Sequence, residues 1–243
     1  MKVVYEAYKD RAVGFVDVLD DGRRISYGAI GIHWWRVVAT GPPGHSLGGG
    51  LPNVNQAIGR AVDRILQLPH PERHGDTRTI VNVAMLQSGT VFNHKPTTGW
   101  FSLDIRSLDM DVIDDVESDV RTVLAEVADD TGIQLEMKPF QLTPGGQIPG
   151  ASESRLATMA EAASRQLGLE PTLSASGSSN MNVAVGNGSA AIGLGGSRGG
   201  ERAEAGEWAD IPAMLRTAAH GVLLAATVRA DGERGSGFRR RNP

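Results

Sequence analysis

The clearest signal in the chain is a repeated change of hydrophobic period between residues 30 and 138. Residues 32–40, IHWWRVVAT, are rich in aromatic and β-branched side chains and predict a strand. Gly41-Pro42-Pro43-Gly44 stops it. Over residues 51–68 the apolar positions are Val54, Ile58, Ala61, Val62 and Ile65, a spacing of three and four that predicts one helical stripe. Pro69 and Pro71 end that helix. Residues 78–86 predict a second strand, followed by a turn at Ser88-Gly89. Over residues 98–106, Phe101, Leu103 and Ile105 point one way and Ser102, Asp104 and Arg106 the other, as in a half-buried strand. Asp109 is placed to cap a helix whose inner stripe is Val112, Ile113, Val116, Val120, Val123, Leu124 and Val127. Asp111, Asp114 and Asp115 sit near its positive end, and Gly132 is placed to end it. Ile133, Leu135 and Met137 alternate as a last strand.

The resulting order is β-α-β-β-α-β. Such a unit packs both helices on one face of an antiparallel four-stranded sheet. The other face and one edge stay open, and pairing with a second subunit is one way to protect an edge.

The flanks are less regular. Residues 14–18 and 23–27 predict strands joined as a hairpin through Asp20-Asp21-Gly22. The Pro- and Gly-rich residues 141–150 predict a boundary. Beyond it come a helix over 156–167 ended by Gly168, short strands over 171–174 and 190–194, and a helix over 208–228. The last carries Ile211, Leu215, Ala218, Val222 and Leu223 on its expected inner face. The fold class expected is α+β followed by α/β, divided as 1–28, 29–140, 141–231 and a flexible tail, 232–243, that holds Arg239, Arg240 and Arg241.

Composition narrows the possible functions. The 243 residues are 40% apolar and 21% charged, which is ordinary for a globular protein. The net charge of -4 gives no electrostatic case for nucleic acid or an anionic membrane as partner. With no cysteine, a transition metal must be held by His, Asp or Glu, and disulfides are ruled out. The start, MKVVYEAYKD, is too charged for a signal peptide, and no apolar run approaches the roughly 20 residues of a membrane span. A cytoplasmic protein is expected.

Several segments, in this order and at these spacings, resemble one family. They are AIGIHWWRVVATGPPGHS (29–46), LPNVNQAIGRAV (51–62), SGTVFN (88–93), DIRS (104–107), GSSNMN (177–182) and GEWADI (206–211). The family is that of the two-zinc exopeptidases: peptidase T (tripeptide aminopeptidase), aminoacylase, succinyl-diaminopimelate desuccinylase and carboxypeptidase G. The resemblance implies a β-α-β-β-α-β dimerisation (lid) domain inserted in an α/β catalytic domain that binds two zinc ions. It covers about residues 12–230, the C-terminal two-thirds of such a protein. It implies that His45 is the lid histidine that reaches the partner subunit's active site and stabilises an oxyanion. A loop histidine at a turn is the alternative. It implies that Asn93 contacts substrate and that Arg106 grips a substrate carboxylate. For Arg106 the alternative is an ion pair on the strand face. Gly177 and Asn182 match the family's Gly-Ser-Thr-Asp-Ala-Asn loop.

The chain also departs from that pattern. It has no adjacent Glu-Glu pair, and its one His-x-Asp, His74-Gly75-Asp76, lies inside the lid, where a solvated loop is expected. The early zinc ligands would precede residue 1. Asp17 is the candidate for the acidic ligand before the lid, with a surface hairpin carboxylate as the alternative. Ala203 stands where the last histidine ligand is expected, leaving Glu204, one position away, as a substitute. Asn180 replaces the aspartate of the loop. His33, His94 and His220 are expected to be structural. The function expected is that of a truncated or degenerate zinc exopeptidase or amidohydrolase, inactive alone, forming a homodimer through the lid. A separate N-terminal half or an intact paralogue is a further expected partner. The alternative is a non-catalytic dimerisation or regulatory module of such a paralogue.

Overall fold

A computed structural model describes residues 2–69, 79–196, 199–201 and 204–235, with side chains of the last helix to residue 228. His74-Gly75-Asp76, Ala203 and the arginines of the tail lie outside the described residues. The chain forms two compact units: Ile30–Gly146, and Met1–Ala29 with Gln147–Pro243.

In the unit Ile30–Gly146 the strands run in the order Gln134–Thr143, Gly31–Thr40, Thr98–Ser107, Ile80–Asn82, with Leu86–Ser88 also on Thr98–Ser107. Every pairing is antiparallel. The helices Val54–Leu66 and Met110–Thr131 cover one face. Alternation decides which side chains meet them: Trp35, Val37 and Ala39 from one central strand, Phe101, Leu103 and Ile105 from the other. From the helices come Ala57, Ile58, Ala61 and Ile65, and Val112, Ile113, Val116, Val120 and Val127. Caps fix both helices. Asn53 Oδ1 accepts from Asn55 N–H, Asp109 Oδ1 accepts from Asp111 N–H, and Gly132, at φ 67°, ends the long helix in the left-handed region.

Two boundaries differ from the sequence pattern. The strand expected over 78–86 is broken in two, because Ala84 and Met85 turn their N–H groups onto Ser102 Oγ at 3.2 and 2.9 Å. The last strand runs on to Thr143, through residues assigned to the linker. A register shift between Pro139 and Gln141 lets it pass a residue that has no N–H to give.

In the other unit the strand order is Phe15–Val18, Ala191–Gly195, Arg24–Ser26, Thr172–Ser174. The expected hairpin is therefore corrected. Phe15–Val18 and Arg24–Ser26 do not pair with each other; Ala191–Gly195 lies between them, parallel to the first and antiparallel to the second. Asp20 and Asp21, read as hairpin turn residues, are buried instead. The helices are Lys2–Tyr8, Arg155–Gln166, Asn182–Gly186 and Ile211–Gly235. The last starts later than expected, since Trp208–Ala209 pairs with Gly199–Gly200. Its inner face is also corrected. Ala213, His220 and Leu224 are buried, whereas Ile211, Leu215 and Val222 are exposed. A small residue at 213 and a hydrogen-bonded histidine at 220 let this face lie closer to its neighbours than the bulkier stripe would. The stretch Ile211–Val228, at mean hydropathy 1.3, is long and apolar enough to cross a membrane, so the expectation that no run approaches that length is corrected too. His220 argues for a protein-packed helix: its Nδ1 and Nε2 lie 3.3 Å from Asp21 O and 3.1 Å from Ala160 O.

Candidate functional site

The residues singled out fall into a lid cluster in one unit and a loop cluster in the other. In the lid, Gly44–His45 pairs with His94–Lys95, so two segments far apart in sequence meet at this rim. Leu47 N–H donates to His45 Nδ1 at 3.1 Å. An accepting ring nitrogen carries no proton, so in the neutral ring the proton is on Nε2. Nε2 lies 3.0 Å from the Asn93 side-chain amide. Asn93 must then meet it with its carbonyl oxygen, because its amide nitrogen would leave two donors facing each other. His45 is thus held as an N–H donor aimed away from its own backbone. The His94 ring stands edge-on to it, centroids 5.4 Å apart. Beside the pair, Leu47 is 92% and Phe92 110% exposed, an unusual placement for large apolar side chains.

Arg106 lies elsewhere, on the sheet face opposite the helices. Its Nε and Nη2 donate to both oxygens of Asp104 at 2.8–3.1 Å. Those hydrogen bonds raise its pKa further above the ordinary guanidinium value, against the opposing effect of burial. The fork that would grip a substrate carboxylate is occupied by the neighbouring acid. The structure does not bring Arg106 to His45 and Asn93 by any hydrogen bond.

In the other unit, Asp17, Gly193 and Ser26 stand in one row across three strands. The loop that holds Gly177, Asn180 and Asn182 sits down on this row. Asn180 N–H donates to Asp17 Oδ2 at 2.7 Å, and Ser26 Oγ donates to Ser176 O at 3.1 Å. Asn182 Oδ1 accepts from Ser179 N–H at 2.9 Å and starts the short helix Asn182–Gly186. The close approach needs glycine twice. A Cβ on Gly177 would lie 2.7 Å from Ser26 Cβ, and one on Gly193 2.8 Å from Met181 Sδ. Sequence reasoning missed Ser26 and Gly193. The signal for Gly193 was available, since a glycine inside an apolar strand marks a close backbone approach.

Two expected structural histidines have clear partners. His33 Nδ1 lies 2.6 Å from Glu117 Oε1, which also accepts from Trp35 Nε1 at 2.8 Å. His220 is the buried pin described above. Glu204 sits in an exposed turn, its N–H on Glu201 O at 3.0 Å. Among the described residues no three His, Asp or Glu side chains converge as a metal ion requires, and one oxygen of Asp17 already accepts from Asn180. The described residues therefore do not fit a two-zinc ligand set, and no chemical step is routed through metal.

Residues 27–132 match the family model of the peptidase dimerisation domain. No curated protein sequence matches the chain. Among solved structures it is similar to a tripeptidase from Staphylococcus aureus (TM-score 0.68, 18% identity, 85% of this chain and 53% of that one). It is similar to the aminopeptidase PepT from Bacillus cereus (TM-score 0.66, 18% identity, 83% and 53%). A dinuclear metal-binding peptidase of the M20 family from Bacillus subtilis is a third (TM-score 0.64, 16% identity, 93% and 60%). The chain thus spans between half and two-thirds of the length of these structures. Residues 27–132 are similar to a peptidase dimerisation domain, in a chain whose mixed α and β fold is similar to that of these peptidases.

Proposed function

We propose that the described residues supply the dimerising lid and the substrate-facing loops of an exopeptidase or amidohydrolase of the M20 type, and that this chain alone does not hydrolyse amides. The substrate class is a short peptide or an N-acyl amino acid. The observation that carries the reading is the meeting of His45 and Asn93. A neutral imidazole held as an Nε2–H donor suits a developing oxyanion, provided Asn93 yields its place to substrate. Exposed Leu47 and Phe92 beside it support a loop built to enter another surface. The supported partner is a second copy, paired through the free sheet edge of the unit Ile30–Gly146. A separate chain bearing the early ligands, or an intact paralogue, is the further partner. The absence of cysteine supports a cytoplasmic setting.

Inactivity alone rests on the ligand positions. Asn180 and Ala203 replace an aspartate and a histidine of the family pattern, Asp17 is engaged by Asn180, and zinc catalysis needs its full ligand set. The test measures bound zinc by mass spectrometry on the purified chain, and hydrolysis of dipeptides, tripeptides and N-acetyl amino acids with added zinc or manganese. The expected result is less than one zinc per chain and no turnover above the metal-only control. Stoichiometric zinc with saturable hydrolysis, lost in Asp17→Ala, overturns the inactivity. If activity appears, the lid reading requires His45→Ala to lower kcat more than it changes KM; an unchanged kcat overturns that part.

A further inference from the structure

The sheet of the unit Ile30–Gly146 has a second face, away from its helices, and that face is not smooth. It holds a pocket of about 290 Å³ whose wall includes Trp34, Arg36, Trp100 and Phe140, with Ser102 and the acidic Asp104 also in it. The size sits at the lower end of small-molecule sites, enough for a body of one or two rings. Its walls are aromatic. The Trp34 and Phe140 centroids are 6.5 Å apart, and the Arg36 guanidinium lies 4.4 Å from the Trp100 centroid and 5.8 Å from that of Phe140. Stacking on rings fixes the guanidinium plane and leaves its N–H edge for another acceptor.

The local charges do not cancel. Asp104, which stands opposite Trp34, is held by Arg106. Lys138, which stands opposite Arg36, is held by Glu136 at 3.0 Å. With those pairs closed, Arg36 is the charge left over: among the described residues it has no carboxylate within ion-pair distance. Ser102 Oγ accepts from the Ala84 and Met85 N–H groups and keeps only its own O–H to give, which leaves Arg36 as the charged anchor. An apolar, ring-lined pocket with one stacked, uncompensated guanidinium is complementary to a flat apolar body carrying a single carboxylate.

We propose that this pocket binds a small aromatic monocarboxylate, its ring against Trp34, Trp100 and Phe140 and its carboxylate on Arg36. The site is separate from the His45 and Asn93 cluster and does not depend on the lid reading. The probe is naphthalene-2-carboxylate, titrated calorimetrically into the full chain, with naphthalene-2-carboxamide as the neutral analogue of the same shape. One site per chain is expected. Affinity falls at least tenfold for the carboxamide, at least tenfold for the acid in Arg36→Gln, and also in Trp100→Ala. Arg36 is exposed and outside the core, so Arg36→Gln keeps the circular dichroism of the parent and a cooperative melt, lowered only by the loss of the ring contacts. Equal affinity for acid and amide overturns the proposal, as does parent-like binding in Arg36→Gln or no binding at millimolar probe. A dimer dissociated by Trp100→Ala, without acid binding, overturns it in favour of a second copy on this face.

Discussion

At the scale of single residues the molecule separates two kinds of glycine. Gly177 faces Ser26 so closely that a methyl group would lie 2.7 Å from its Cβ, with Gly28 O at 3.3 Å. The neighbour is a strand residue, not the free end of a long side chain, so the loop must lift. Gly59, within the helix Val54–Leu66, has nothing within 4 Å of the same position. Gly177→Ala is therefore expected to destabilise the protein by about 1–3 kcal/mol, as overpacking does. Gly59→Ala is expected to stabilise it by about 0.5–1 kcal/mol through the backbone entropy that a helical glycine costs. Urea denaturation of both variants checks the contrast, and equal midpoints for the two would show that the loop is not seated as described. The same seating explains why Asp17 meets Asn180 N–H.

At the scale of elements, one half-buried carboxylate joins helix to sheet. Glu117, on the helix Met110–Thr131, takes both the Trp35 indole N–H and the His33 ring on a single oxygen. Glu117→Leu leaves both groups without an acceptor near the core, and is expected to cost about 2–3 kcal/mol. Glu117→Gln, whose carbonyl oxygen can still accept, is expected to cost less than half of that; thermal melts distinguish them, and equal losses would assign the effect to packing. This link was not legible in the sequence, because periodicity puts Glu117 only at the border of the inner stripe, four after Ile113 and three before Val120, and cannot see which strand lies beneath. What periodicity did reach was the unit around residues 30–138, where Phe101, Leu103 and Ile105 alternate and the helical stripes are wide. It failed where strands are short. Phe15–Val18 and Arg24–Ser26 looked like a hairpin because a local turn signal carries no record of Ala191–Gly195 entering between them. It failed again on the last helix, where apolar residues occupy more than one face and only the partner decides which is buried. The resemblance singled out His45 and Asn93 separately; their hydrogen bond, and the tautomer that Leu47 N–H sets on His45, came only from geometry.

At the scale of the whole molecule, the two edges of the larger sheet are treated differently. The strand Gln134–Thr143 carries Pro139, a register shift beside it, and the charged pair Glu136 and Lys138. Proline removes a donor, the shift breaks the run of hydrogen-bonding groups, and charges discourage a neighbouring strand. The opposite edge, formed by Ile80–Asn82 and Leu86–Ser88, is interrupted where Ala84 and Met85 turn onto Ser102, but over residues 80–88 it carries no proline and no charge, and it shows Ile80 and Leu86 at 45% and 54% exposure. A two-fold partner on this edge sets residue i against residue j and j against i, so one substitution acts twice. The chain is therefore expected to run as a dimer, near twice its 25.7 kDa, in light scattering. The double substitution Ile80→Lys and Leu86→Lys is expected to raise the dimer dissociation constant at least a hundredfold, since like charges then face each other across the axis. Leu142→Lys, on the protected edge and similarly exposed, should leave the mass unchanged. A monomeric parent at high concentration contradicts the pairing itself. A dimer that survives the double substitution but falls apart in Leu142→Lys moves it to the other edge, where Pro139 and the register shift would have to be accommodated within the interface.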